Sequence, residues 1–239
     1  ALSWQGLAPA AVLSLWKRLL VLGIPAMITN MLVPVAAAVL LLWVAPLGEE
    51  AVAGFGVGMR LEPFAIVVVL ALTSTLPTFV AQNRAANQWP RVWQGLFLCY
   101  RFVLGWQLAV GLALWLMAPW LAQLFSSEPV VQEHVIVFLR CLPIGYAGLG
   151  IVLCTNAALN SLQHTQLSMW LNGVRLFALY LPGAWLGLQL GTVVAVGYLG
   201  WLLGAATGNL VAGAGVWWMA LRLRNRGSLT LAGRRFVAQ

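Results

Sequence analysis

The segment Trp93–Trp120, WQGLFLCYRFVLGWQLAVGLALWLMAPW, contains a single charged residue, Arg101. A helix needs roughly 20 mostly apolar residues to cross the hydrocarbon core of a bilayer, and this run is longer. Because no water is available in that core to satisfy exposed backbone groups, a continuous apolar run is expected to be helical. A membrane β-barrel would need short segments of alternating polarity instead. The segment therefore predicts a transmembrane helix.

Further runs of the same kind lie on both sides of this segment, separated by turn-like breaks such as Pro46–Glu50 and Ser126–Pro129. The pattern predicts an all-α, polytopic membrane protein with six transmembrane helices. Three regions are expected: a cytoplasmic interfacial segment at 1–16, a six-helix transmembrane unit at 17–222 and a basic cytoplasmic tail at 223–239. The other predicted spans are about 19–46, 51–81, 133–160, 167–190 and 193–221.

The composition excludes an ordinary soluble domain. The chain has 239 residues, of which 62% are hydrophobic and 8% are charged, whereas soluble domains carry roughly 25% charged residues. The main partner of its surface is therefore expected to be the lipid bilayer. The net charge of +8 does not indicate nucleic-acid binding, because the basic residues are scattered between apolar runs and form no single patch.

The basic residues nevertheless follow a pattern, because nine of the thirteen Lys and Arg residues fall at helix ends belonging to one side of the membrane. The loops of the other side hold Glu49, Glu50, Glu128 and Glu133 and no Lys or Arg. By the positive-inside rule, this asymmetry predicts an inner-membrane protein with both termini in the cytoplasm. The residues at the basic side are Lys17, Arg18, Arg84, Arg91, Arg222, Arg224, Arg226, Arg234 and Arg235.

Catalytic and metal-binding patterns are missing from the sequence. Cys99, Cys141 and Cys154 lie in apolar runs without metal-ligand spacing, which favours buried structural thiols. There is no Asp, and Glu62 is the one carboxylate within an apolar run. No acid/base pair, catalytic triad or phosphate-binding loop can be assembled. We therefore expect no enzymatic activity, no catalytic residue, no metal site and no cofactor.

Four charged residues fall well inside predicted helices, namely Arg60, Glu62, Arg140 and Arg175, and Arg101 lies nearer a helix end. Such groups are costly in a bilayer unless they are paired or hydrated, so each is a functional candidate. Arg60 and Glu62 are two residues apart and point to different sides of one helix. We predict that Glu62 faces Arg140 or a polar cluster around it. This intramembrane charge network could be a structural ion pair or part of a functional site.

Uncharged polar residues are more numerous inside the predicted helices. Asn30, Asn156, Asn160 and Asn172 are our candidates for lining a substrate cavity, and hydrogen bonding between helices is the alternative for each of them. Gly200, Gly204 and Gly208 recur every four residues and favour close helix packing over a substrate groove. The remaining polar residues in the predicted spans are Thr29, Thr73, Ser74, Thr75 and Asn209.

Several stretches of the sequence form one pattern that covers about residues 17–222. They are Gly23-Ile24-Pro25, AVAGFGVGMRLEPF (Ala51–Phe64), LTSTLPTFVAQNRAANQWPRV (Leu72–Val92), LAQLFSSEPVV (Leu121–Val131), VFLRCLPIGYAGLGI (Val137–Ile151), NAALNSLQHTQLS (Asn156–Ser168) and the following Asn172 to Arg175. Together they resemble the C-terminal lobe of multidrug and toxic compound extrusion (MATE) transporters.

The resemblance implies one half of a secondary antiporter that has two six-helix lobes. Such a protein exports drugs or organic cations as Na⁺ or H⁺ enters, so the implied partners are small amphipathic or cationic substrates and a missing N-terminal lobe. Some members bind a cation through a Glu on the first helix of this lobe. Here that place holds Thr29, Asn30 and Val33. A chain beginning at Ala1 is also expected to be a fragment of a longer one.

Two other functions remain open at this stage. A lipid-linked oligosaccharide flippase of the same superfamily would need a strongly cationic cavity, so Arg60, Arg140 and Arg175 converging on one cavity would favour it. A non-transporting membrane subunit would instead present a smooth outer face for a partner. Exposure of Gly200, Gly204 and Gly208 on the outside of the bundle would favour that function.

Overall fold

The computed structural model describes residues 9–193 and 197–225, and α-helices dominate this part of the chain. Short 3₁₀ turns occupy Ala45–Leu47 and Leu142–Gly145, and a π-helical turn occupies Val174–Tyr180. The α-helices are α1 (Pro9–Val44), α2 (Glu49–Ala85), α3 (Trp89–Phe125), α4 (Pro129–Cys141), α5 (Tyr146–Ser161), α6 (Thr165–Gly173), α7 (Leu181–Val193) and α8 (Gly197–Asn225).

These elements form a bundle of six membrane-length runs. Five runs are long and apolar enough to cross a membrane; they are α1, α2, α3, the continuous pair α4–α5 and α8. The sixth is the helical run at 165–193, in which the π-helical turn joins α6 to α7. Within the described residues there is no β-strand. The predicted all-α, six-helix fold class is therefore confirmed.

The predicted terminal regions are described only in part. Residues 1–8 of the expected interfacial segment lie outside the described residues. Its remaining residues, Pro9–Trp16, form the first turns of α1. At the other end α8 reaches Asn225, so most of the expected basic tail, residues 226–239, also lies outside them.

Short turns force neighbouring runs to lie antiparallel, and this separates the charges of the chain between two ends. The turns at 45–48 and 126–128 lie at the end that carries Glu49, Glu50 and Glu128, which we call the acidic end. The turns at 86–88 and 162–164 lie at the opposite, basic end. Gly48 allows the first acidic-end turn because its φ of 117° is unfavourable for residues with a side chain.

Two apolar clusters hold the bundle together, one in each half. In the acidic half, Phe55 packs against Phe138 and Trp201, with ring centroids 6.1 and 5.2 Å away. In the basic half, Tyr100 lies at the centre of a cluster that includes Val80, Val92, Val103 and Ala220. Large apolar side chains such as Phe64 and Trp170 remain exposed on the outside. Aromatic packing inside and apolar side chains outside are what a bundle in lipid requires.

Prolines explain both interruptions of regular helix within the spans. Pro143 has no backbone N–H to donate, and the chain forms the 3₁₀ turn between α4 and α5 at that position. Pro182 also lacks a donor, and it lies two residues after the π-helical turn that ends at Tyr180. In a regular α-helix its ring is expected to clash with the carbonyl group four residues earlier, and the wider hydrogen-bond spacing of the π-helical turn relieves that clash. The side chains on both sides of each interruption are therefore turned to faces that a regular helix would not give them.

The glycines of α8 pack inward against α7. A Cβ added to Gly200 would collide with the carbonyl oxygen of Gly187, and one added to Gly204 would collide with that of Gly183. The predicted close helix packing is therefore confirmed, because this approach is possible only without side chains. These glycines do not form the smooth outer face that a partner subunit would need.

We expect the substitution Gly204→Val to destabilise the lobe because the new side chain must separate α7 from α8. Overpacking of this kind costs about 1–3 kcal/mol. Gly215→Val is the matched control, since a Cβ at Gly215 on the same helix meets no atom within 4 Å. Thermal unfolding in detergent, followed by the fluorescence of the 13 tryptophans, should show a clear fall in Tm for Gly204→Val alone. Equal shifts for both variants would contradict the packing argument.

Candidate substrate cavity

A cavity of about 530 Å³ lies between α1, α2, α5 and α6, on the side of the bundle nearer the basic end. Its wall mixes amide and hydroxyl groups with apolar side chains, which is the usual composition of a small-molecule site. The lining residues are Thr29, Asn30, Val33, Thr73, Pro77, Leu153, Asn156, Ala157, Asn160, Ser161, Asn172 and Arg175.

All four asparagines that we selected as cavity candidates line this one cavity. Asn30 comes from α1, Asn156 and Asn160 come from α5 one helical turn apart, and Asn172 comes from the end of α6. Asn156 and Asn172 are buried, while Asn30 and Asn160 are exposed at the mouth. The structure thus brings the four amides together, and their role in binding a substrate stays a prediction.

Arg175 is the charged member of the described lining, and it is held in place by two asparagine side chains. It is 5% exposed. Its Nε donates to Oδ1 of Asn172 over 3.1 Å, and its Nη1 donates to Oδ1 of Asn209 over 3.0 Å. Both bonds come from a charged donor and are stronger than bonds between neutral groups. They engage two of the five N–H donors of the guanidinium group and fix its plane at the cavity wall.

A further hydrogen bond, made by Asn172, connects the Arg175 side chain and its partners to α1. Nδ2 of Asn172 donates to the backbone carbonyl oxygen of Thr29 over 3.4 Å. The Thr29 hydroxyl donates to the carbonyl oxygen of Pro25. Asn172 therefore bridges α1 to Arg175, because its oxygen accepts from the guanidinium while its nitrogen donates to α1. Two walls of the cavity are joined through one amide.

Behind the cavity wall, Arg175 belongs to a buried electrostatic cluster with Glu62, Tyr146 and Tyr180. Half-buried Glu62 lies within electrostatic range of Arg175 and next to the Tyr146 side chain. Tyr180 lies within electrostatic range of both Glu62 and Arg175. A charge pair that also has hydrogen-bonding partners is far less costly in an apolar bundle than two isolated charges. The cluster therefore accounts for how both charges are tolerated inside the membrane.

The predicted pairing of Glu62 with Arg140 is wrong, because the charged partner of Glu62 is Arg175. Arg140 instead places its guanidinium over the Trp115 ring, 5.0 Å from the centroid. Arg60 is exposed on the outside of α2. Sequence spacing matched the depth of Glu62 and Arg140 but could not give their direction around the bundle. Tyr146, which directly follows the 3₁₀ turn at Pro143, is the residue of this run that lies next to Glu62.

Three residues of this region were not among our candidates. Asn209 was one of several polar residues in an apolar run, and nothing in its spacing indicated that it would meet Arg175. Tyr146 and Tyr180 were not selected from the sequence, because buried tyrosines are common in membrane bundles. Both tyrosines flank an irregular turn, since Tyr146 follows the 3₁₀ turn and Tyr180 ends the π-helical turn. A proline close to a tyrosine was the available sequence signal.

The cavity also contains an amide whose hydrogen bonding is incomplete within the protein. Asn156 is 7% exposed, and its Oδ1 accepts no hydrogen bond from the described residues. Buried polar atoms are nearly always satisfied, so this closed-off oxygen is one of the exceptions among the described residues. No carboxylate lies in the described lining. The described residues likewise contain no group of His, Cys, Asp and Glu side chains able to hold a metal ion.

The comparisons with known proteins agree with this architecture. The family model MatE matches residues 25–186. The chain belongs to the MatE family, whose solved members are membrane transporters of the MATE class.

The relatives show how much of such a transporter is present. The chain is 37% identical over 208 residues to a FAD transporter of Shewanella oneidensis, covering 87% of this chain and 45% of that protein. It is 31% identical to the Vibrio cholerae MATE transporter VcmN in its bent form, with a TM-score of 0.84 over 96% of this chain and 50% of that one. An outward-facing multidrug resistance MATE transporter, 21% identical, shares the fold with a TM-score of 0.81, and the match covers 94% of this chain and 49% of that one. The chain thus spans about half the length of these relatives.

We expect Arg175→Met to lower the Tm substantially, because it leaves Oδ1 of Asn172 and of Asn209 without their donor and removes the cation within electrostatic range of Glu62. Leaving a buried polar group without its partner costs about 1–3 kcal/mol. Adding Glu62→Gln should recover part of that loss, since the remaining group is then neutral. Arg60→Met removes an exposed arginine from α2 and should change the Tm little. A double variant no more stable than Arg175→Met would show that Glu62 and Arg175 are not coupled.

Proposed function

We propose that this chain is the C-terminal lobe of a two-lobe MATE exporter and that the Arg175 cavity forms one wall of its substrate pathway. The N-terminal lobe would supply the facing wall, and alternating access would carry the substrate out as Na⁺ or H⁺ enters. The coverage of about half of each relative supports a missing lobe. The basic end would face the cytoplasm of the cell whose inner membrane holds the protein, by the positive-inside rule.

The single observation that carries the substrate proposal is the charge of the cavity wall. Arg175 is buried, fixed by Asn172 and Asn209, and accompanied in the described lining by amides and hydroxyls. This set favours a substrate with an anionic group and many hydrogen-bonding heteroatoms. An arginine fixed in this way is suited to phosphate, which it binds through paired N–H donors.

We therefore infer that the substrate is an anionic aromatic compound of the kind carried by the Shewanella relative, the FAD transporter. A dinucleotide would place a phosphate at the remaining donors of Arg175. Its ring amide groups would pair with Asn30, Asn156 and Asn160, and its flat rings would lie against Val33 and Leu153.

Export of drugs and organic cations is the second candidate. The resemblance to multidrug exporters supports it, and so does the apolar part of the cavity wall, which includes Val33, Pro77, Leu153 and Ala157. A cation would have to be balanced by acidic groups of the facing lobe, because Glu62 lies behind the wall and the described lining contains Arg175 but no carboxylate. The two candidates therefore differ in the sign of the effect that Arg175 exerts on binding.

The other functions considered from the sequence have less support. An oligosaccharide flippase would bring several arginines into one cavity, whereas Arg175 lines it, Arg60 is exposed and Arg140 packs on Trp115. A non-transporting subunit would present the α8 glycines to a partner, whereas they pack against α7.

Transport in proteoliposomes tests these proposals. The chain would be reconstituted alone and together with the N-terminal half of the Shewanella FAD transporter, with an imposed Na⁺ or H⁺ gradient, and with FAD or a fluorescent cationic dye inside. We expect gradient-dependent FAD efflux only when both halves are present. Dye efflux without FAD efflux would select the cation exporter, and efflux of neither would favour the non-transporting subunit.

Substitution of Arg175 separates the two substrate classes further. Arg175→Gln keeps hydrogen bonding but removes the charge, so the KM for FAD should rise roughly tenfold or more, the usual effect of losing a hydrogen bond to a charged group. The same variant should leave dye transport unchanged or improve it. Arg60→Gln, on the outside of α2, is the matched control and should alter neither. An unchanged KM for FAD in Arg175→Gln would exclude Arg175 from substrate binding.

A further inference from the structure

A second pocket, separate from the substrate cavity, lies at the basic end of the lobe. It has a volume of about 310 Å³ and is enclosed by the first turns of α3 and α6 and the last turns of α5 and α8. The two pockets lie on opposite faces of α5: Asn156 and Asn160 face the substrate cavity, whereas Ala158 and Leu162 face this pocket. A ligand here would therefore occupy a site of its own.

The lining of this pocket suits hydrocarbon. Its wall is made largely of tryptophan, leucine, valine, alanine and methionine side chains, with Trp89 and Trp93 on one side and Met219 and Leu223 on the other. The two hydroxyls in the wall bond within the protein. Tyr100 and Thr155 share a hydrogen bond of 2.6 Å, and the Thr155 hydroxyl donates to the carbonyl oxygen of Ile151. These hydroxyls place no demand on a ligand, so an apolar chain can lie against them without leaving them unpaired.

Arginines lie in the helix turns next to this apolar pocket, although none of them lines it. Arg222 and Arg224 flank the lining residue Leu223 on α8, whereas Arg91, in the first turn of α3, lies on the helix face opposite Trp89, Val92 and Trp93. All three arginines are exposed. Two of them are positioned by aromatic faces, because Arg222 lies 3.6 Å from the centroid of the Trp218 ring and Arg224 lies 5.0 Å from that of Phe97.

No carboxylate neutralises this cationic rim. The chain has five acidic residues, and four of them, Glu49, Glu50, Glu128 and Glu133, belong to the acidic end. The fifth, Glu62, lies within the Arg175 cluster. An apolar pocket at membrane depth beneath a rim of unneutralised arginines matches one kind of molecule, with a hydrocarbon tail and an anionic head.

We propose that this pocket binds an anionic phospholipid from the leaflet at the basic end. One acyl chain occupies the space between Trp93 and Met219, and the phosphate group lies at Arg222 and Arg224. Arginine suits this role because its planar donor fork matches phosphate oxygens. The bound acyl chain packs against the side of α5 opposite the substrate cavity. It thereby supports the helix that carries Asn156 and Asn160.

Native mass spectrometry of the delipidated chain tests the lipid site independently of transport. The purified chain would be mixed with phosphatidylglycerol, with phosphatidylcholine and with an equimolar mixture of the two, all with the same acyl chains. We expect phosphatidylglycerol to be retained preferentially in the mixture. Equal retention of the two lipids would overturn the proposal, because it would show that the head group is not recognised.

Matched variants separate a built site from general charge attraction. Arg222→Gln/Arg224→Gln should weaken retention of phosphatidylglycerol about tenfold or more, given the attraction expected per arginine. Lys17→Gln/Arg84→Gln removes the same charge from the same end but away from the pocket, and it should have little effect. Equal losses in the two double variants would overturn the proposal, as would full retention by Arg222→Gln/Arg224→Gln.

The pocket itself is tested by filling it. Ala220→Phe places a ring in the space that the acyl chain would occupy, since Ala220 lines the pocket and is 6% exposed. Loss of phosphatidylglycerol binding at an unchanged Tm would support the site. Ala158→Leu is a smaller change at the opposite wall and serves if Ala220→Phe proves unstable. Undiminished binding by a folded pocket-filling variant would place the lipid elsewhere and overturn the proposal.

Discussion

The burial of one guanidinium group is the constraint on which much of this lobe depends. A charged arginine is expensive inside a membrane bundle, and Arg175 is kept there by several partners rather than by one. Asn172 and Asn209 accept its hydrogen bonds, and Glu62 balances its charge. These partners come from α2, α6 and α8, so satisfying a single side chain fixes how three of the helical runs are arranged around it.

Irregular backbone makes this arrangement possible. Regular helices would give Tyr146 and Tyr180 different directions, and the turns at Pro143 and before Pro182 bring them to the Glu62–Arg175 pair. Close packing has the same effect on the other side, because the glycines of α8 let that helix approach α7 and the π-helical turn. Asn209 follows one of these glycines and so reaches Arg175. The irregular turns and the glycines of α8 thus bring together the residues around Arg175.

Helix α5 divides two environments of opposite character. One face presents Asn156 and Asn160 to a polar cavity, and the other presents Ala158 and Leu162 to an apolar pocket. Because α5 begins at the break after Pro143, its position is not fixed by a continuous helix from α4. What fills either side therefore influences where this helix lies. The two pockets differ in chemistry but share one helix between them. This arrangement suits the alternating-access motion that we propose for the exporter.

The sequence by itself determined the solvent, the fold class and the depth of each group. Apolar runs of membrane length with almost no charge leave no other fold, and the four chosen asparagines share one cavity because polar groups in lipid must meet other polar groups or water. Only the tertiary structure decided the partners. Spacing along the chain gives depth in the membrane, whereas direction around the bundle depends on the breaks at Pro143 and Pro182 and on helix packing. For that reason Glu62 interacts with Arg175 and Tyr146, while Arg140 at a similar depth rests on an aromatic ring.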